Sequence, residues 1–211
     1  MKNKFIAIIL VFSILLNVIF ATKSYNYKYK IGQEAYNNIA SIKILNESNK
    51  EILNNVISTN YLENNDLLKL YKNYSDISVN IAKLWEEYNF YRNDSVFNLF
   101  SKSVKTKDSA SNEVHWRIEE YINKILETEM TTSNFKLTLE GNTFEQIKAM
   151  SNLSNEIDDL FAEFRNSKLK DVDEENKAKV IINNKYWIDL LTGINTISEK
   201  YIDEDFSLDN K

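Results

Sequence analysis

Apolar residues follow two different rules along this chain. From Phe5 to Ala21 the run FIAIILVFSILLNVIFA is apolar on every side, broken only by Ser13 and Asn17. From Ile31 onward the apolar residues are spaced three and four apart, the interval that gives a helix one buried face. The first rule predicts a helix surrounded by hydrocarbon, and the second a set of helices that hide their faces against one another.

Ile31, Ala35, Ile39, Ile42, Leu45, Ile52 and Val56 predict the first of these helices, with polar Asn46 and Asn49 weakening its middle. No break signal separates it from the apolar run. Ser58 to Asn60, followed by Asn64 and Asn65, supplies a turn and an N-cap for the next helix. There Leu67, Leu70, Tyr74, Ile77, Ile81, Leu84, Tyr88 and Tyr91 alternate spacings of three and four for more than three heptads. Such a seam lies against neighbours within a bundle or across a dimer, so these eight residues form the candidate interaction site. Val96, Leu99, Phe100 and Val104 could prolong the helix, but Asn93 to Ser95 favours a break before them. Lys105 to Asn112 reads as a loop that turns the chain around.

Val114, Ile118, Tyr121, Ile122 and Ile125 mark a third helix, with Thr128, Thr132, Phe135 and Leu139 as a weaker continuation. Phe135, Leu137 and Leu139 also alternate as a strand would, and Gly141 stands where a helix-ending C′ glycine would. Thr143 with Gln146 reads as a capping box. It opens a fourth helix whose face is Phe144, Ile147, Met150, Leu153, Ile157, Leu160, Phe161 and Phe164. Asp171 or Asp173, with Glu174 and Glu175, places negative charge at the start of a fifth. Its face is Val180, Ile181, Trp187, Ile188, Leu191, Ile194, Ile197 and Tyr201, and from Asp203 an acidic tail is expected to fray.

The composition supports the same picture, because no proline and three glycines leave little material for the turns of a β-sandwich or barrel. The expected fold is all-α: an N-terminal hydrophobic anchor helix followed by an up-down bundle of four or five helices. Residues 1–22 are read as anchor, 23–203 as one bundle domain and 204–211 as acidic tail.

As a helix the apolar run would span roughly 26 Å, slightly short of a bilayer core, a deficit that Lys4 and Lys23 can absorb by snorkelling. Phe20 and Ile19 before Ala21 deny it the small-residue pattern of a cleavage site, so an uncleaved anchor is preferred to a removable signal. Tyr25, Tyr27 and Tyr29 among Lys28 and Lys30 suit a headgroup-level belt. Lysines flank the run on both sides and the charge bias does not decide orientation. The short basic head and the lack of a second apolar span favour a single-pass protein of a bacterial cell membrane with its domain extracytoplasmic.

Chemistry is sparse. The absence of cysteine removes disulfides, thiolate metal sites and a cysteine nucleophile. A net charge of −5 gives no general attraction to nucleic acid, and the basic stretch Lys102, Lys105 and Lys107 reads as a solvated connection. His115 is the single histidine, with Asn112 where a HExxH motif needs Glu, and reads as a surface residue within reach of Glu119. Glu86, Glu87, Glu119 and Glu120 lie beside the apolar stripes as solvated acids. Asp171, Asp173 and Glu175 imitate a calcium loop, but Asn176 replaces its turn glycine and Ile182 its bidentate Glu. No phosphate-binding glycine motif occurs. Trp85, Trp116 and Trp187 are expected as core or helix-contact anchors, with a ligand pocket as the alternative.

No cofactor is expected. The partners expected are the lipid bilayer, through Phe5 to Ala21, and a protein partner or second copy. The functional expectation is a non-enzymatic interaction or scaffold protein. The alternative is a small-molecule or peptide binding module with a cavity between helices lined by Tyr and Trp, and a carboxylate-based hydrolase is a distant third.

Overall fold

A computed structural model describes residues 2–93, 113–131 and 136–207. Among these are six α-helices, α1 (Lys2–Thr59), α2 (Asn64–Asn93), α3 (Glu113–Thr131), α4 (Gly141–Lys168), α5 (Glu174–Asn183) and α6 (Tyr186–Ser198), and two short strands, β1 (Tyr61–Glu63) and β2 (Lys136–Thr138). The fold is all-α with a bundle behind a long first helix.

The two patterning rules meet in α1, which runs for 58 residues without interruption. At about 1.5 Å per residue it is a rod of about 87 Å. Its first part is long and apolar enough to cross a membrane and is not covered by any of the described residues. Ile31, Ala35, Ile39, Ile42, Asn46, Asn49, Leu53 and Val56 then form its buried line. The two asparagines continue the line because each has a partner. Asn46 Nδ2 donates to the Ser154 carbonyl at 2.9 Å, and Asn49 Oδ1 accepts from Asn73 Nδ2 at 2.8 Å. Each bond offsets part of the cost of burying an amide, although Asn49 Nδ2 itself meets no partner among the described residues.

Helix α2 returns antiparallel along α1 and also packs on α3. Leu67, Leu70, Tyr74, Ile77, Ile81, Leu84, Tyr88 and Tyr91 are all buried, none more than 5% exposed. Each buried side chain of this size contributes on the order of 2 kcal/mol. The seam therefore lies wholly inside the bundle and leaves nothing on the surface for a second chain.

The turns at the far end of the bundle are joined by a small two-stranded sheet, of which the hydrophobic pattern announces only the strand-like alternation at Leu137. Asn60 adopts a left-handed conformation (φ 60°) after α1, and its N–H still reaches the Val56 carbonyl at 2.8 Å. β1 then pairs antiparallel with β2, Leu62 opposite Leu137. The weak end of the third predicted helix is thus a strand, with Leu139 buried just beyond it. Gly141, at φ 54°, belongs to the start of α4 and not to the end of the helix before it. Thr143 is inside α4, so the capping box does not form. Gln146 is turned to the Asp205 and Ser207 carbonyls instead.

That contact corrects the tail as well. Arg117 donates to the Ile202 carbonyl at 2.6 Å and to that of Glu204, and Phe206 is 7% exposed with its ring 6.3 Å from that of Tyr121. Residues 202–207 are a strap held against α3 and α4. The predicted fifth helix is two, because Lys185 enters a left-handed conformation (φ 59°) and separates α5 from α6. The extension through Val96, Leu99, Phe100 and Val104, the lysines 102, 105 and 107, the loop 105–112, Thr132 and Phe135, and the last four residues lie outside the described residues.

Candidate functional site

Helix α5 lies across α1 beside α4 and α6, leaving a cleft of about 280 Å³ between the four. The apolar periodicity of each helix places its floor: Ile39 from α1, Phe161 and Phe164 from α4, Ile181 from α5 and Leu190 from α6. The polar rim is Tyr36, Lys43, Arg165, Glu174 and Lys177. Lys43 pairs with Glu47 one turn on, and Lys177 with Glu174. The Lys177 ammonium beside it holds the Glu174 carboxyl below its ordinary range. Arg165 makes no ion pair with a described residue. The cleft thus offers an apolar and aromatic floor, net positive charge and a guanidinium that acts on Glu174 only through its charge, which suits a flat or apolar group carrying a carboxylate. Its lining includes one carboxylate, two lysines and a tyrosine, with no histidine, serine, threonine or cysteine.

The residues singled out from sequence fall elsewhere. The α2 seam is core, as described. Trp187 is 1% exposed and meets the Tyr91 ring edge-on at 5.6 Å. Trp85 is half-buried against Tyr88, and Trp116 is 54% exposed on α3 rather than an anchor. None of the three lines the cleft. His115 is not on the surface. It is 2% exposed, next to the buried Val114 and one turn before the buried Ile118. Burial pushes its imidazole down to about 4, so it is neutral at pH 7.

Acids are paired by context that sequence does not show. Glu156 accepts from Lys200 and from Tyr201 Oη, which hold its carboxyl low. Asp158 of α4 pairs with Lys50 of α1 and keeps that ammonium charged. Glu87 of α2 sits against Glu34 of α1. Partial burial, then a hydrogen bond shared with Glu34, raises its carboxyl to about 7. Asp171, Asp173 and Glu175 are exposed, and among the described residues no three acids or imidazoles gather as a cation site.

The chain matches no protein-family model, and no curated protein or solved structure is similar to it.

Proposed function

We propose that this is a single-pass, membrane-anchored protein whose helical bundle stands on the extracytoplasmic face of a bacterial cell membrane and acts by binding, as a non-enzymatic interaction module. The observation that carries this reading is the construction of α1. One unbroken helix joins an apolar segment that no described residue covers to a segment locked into the core. Exposed apolar surface on that scale is stable in lipid and not in water. Alkaline extraction and protease treatment of intact cells test it. The full chain is expected to stay with the membrane and its bundle to be digested from outside; a bundle protected in intact cells would defeat the orientation, and release at high pH would defeat the anchor.

The cleft favours a second reading, a small-ligand or peptide module. Arg165 over a floor of Phe161 and Phe164 would take an aromatic or apolar carboxylate. Such a ligand is expected to raise the melting temperature of the protein, and Arg165→Gln to remove that rise. A panel of aromatic carboxylates without any shift would leave the interaction reading alone.

A further inference from the structure

The end of the bundle nearest the apolar run gathers three lysines, Lys28, Lys168 and Lys185, that make no ion pair with a described residue. Lys28, from α1, and Lys185, from the turn between α5 and α6, converge on one ring, their ammonium groups 5.4 and 5.7 Å from the centre of Tyr91. Neither makes an ion pair with a described residue. Lys168 lies over the neighbouring Tyr186 in the same way, at 5.7 Å. Of the acids of this end, Glu34 pairs with Lys30 at 3.7 Å and shares a hydrogen bond with Glu87, while Glu86 beside them is exposed. Around these lysines, Phe90 is 48% exposed, Tyr25 64% and Tyr27 45%. Cations stacked on aromatic rings, ringed by exposed aromatic side chains, match the chemistry of the bilayer interface.

Their height fits as well. Lys28 is seven residues beyond Ala21 in an unbroken helix, about 10 Å along its axis. Helical side chains lean toward the helix N-terminus, which for α1 is toward the apolar run, so a lysine there reaches back by several Å. A headgroup layer is roughly 5–8 Å deep on each side of the hydrocarbon. Lys185, sharing the Tyr91 ring, stands at the same level.

We infer that the base of the bundle docks on anionic phospholipid headgroups, with Lys28 and Lys185 on the phosphates and Phe90, Tyr25 and Tyr27 among the headgroups. This rests on the anchored reading above, and adds to it that the domain sits down on its membrane rather than standing clear of it. The surface charge of an anionic leaflet attracts each lysine at this level by about fivefold in occupancy.

The full chain is placed in lipid nanodiscs of phosphatidylcholine alone or with phosphatidylglycerol, and lysines are acylated and read by mass spectrometry. Lys185 is expected to react about fivefold more slowly on the anionic discs, while Lys148, near the start of α4 at the opposite end, reacts equally on both. Lys28→Gln should reduce that protection of Lys185 and Lys28→Arg should keep it, with unchanged helical circular dichroism in each. Normal incorporation with equal Lys185 labelling on both lipids would overturn the docking and leave the anchor standing. Failure of the chain to enter either disc would overturn both.

Discussion

Under the anchored reading proposed above, the two parts of α1 solve one problem in two solvents. Its apolar start faces outward everywhere: Phe5, Ile9, Phe12, Leu15 and Phe20 are each at least 54% exposed. From Ile31 the same helix shows a narrow line of fully buried residues and leaves the rest to water. Hydrocarbon rewards apolar surface in any direction, so the first part needs no period. Water rewards only what other helices cover, so the second must repeat at helical spacing. The difference is that the start is defined by composition and the bundle part by position.

Substitutions at matched sites should separate the two. Leu53→Ala, in the core, is expected to lower the urea-unfolding free energy by about 2–5 kcal/mol without changing membrane extraction. Leu10→Lys should do the reverse, costing insertion about 3 kcal/mol and leaving the unfolding midpoint of the bundle where it was. If Leu10→Lys destabilised the bundle as much as Leu53→Ala, the two parts would not be independent.

His115 reports how dry the bundle interior is. Its folded value of about 4 lies below the ordinary 6.5, so its contribution is complete above pH 6.5 and is lost as pH falls toward 4. Stability should fall by about 3 kcal/mol across that window, and His115→Leu should flatten the dependence. An unchanged profile would mean that water reaches the ring. Arg117→Ala, which frees the strap, should cost about 1–2 kcal/mol and speed amide exchange in residues 202–207.

Glu87 gives the smallest and opposite effect. Its folded value of about 7 exceeds the ordinary carboxylate value, so the folded state holds the proton more tightly; the contribution is complete below about pH 4.5 and lost as pH rises through 7. With solvent screening this amounts to about 1 kcal/mol. Glu87→Gln should remove that part of the slope between pH 5 and 8, and a slope unchanged by the substitution would exclude the shared proton.

Long elements were legible in the sequence because each carries many periods of its pattern. The α2 seam repeats over more than three heptads, and all eight of its residues are buried. β1 was not, and β2 showed only as a strand-like alternation beside a helical one, because three residues carry almost no period and their pairing joins positions far apart in the chain. The strap failed for the same reason: DEDFS looks solvated until Arg117 and Gln146 are seen to hold its carbonyls. The break at Lys185 is a backbone event in a stretch whose apolar spacing continues across it. The cleft was the least legible, since it needs side chains from α1, α4, α5 and α6, and the cation at its rim is ordinary in its own helix.

Asn46 and Asn49 have a mechanical consequence. A smooth apolar rod could slide lengthwise past its neighbours by one turn, about 5.4 Å, at little cost. Here such a slip would carry both amides away from Ser154 and Asn73 and strand them in an oily setting, at about 1–3 kcal/mol each. The two asparagines therefore act as detents, so that under the anchored reading proposed above a push or pull on the apolar end of α1 is transmitted to the whole bundle as a single stiff piston.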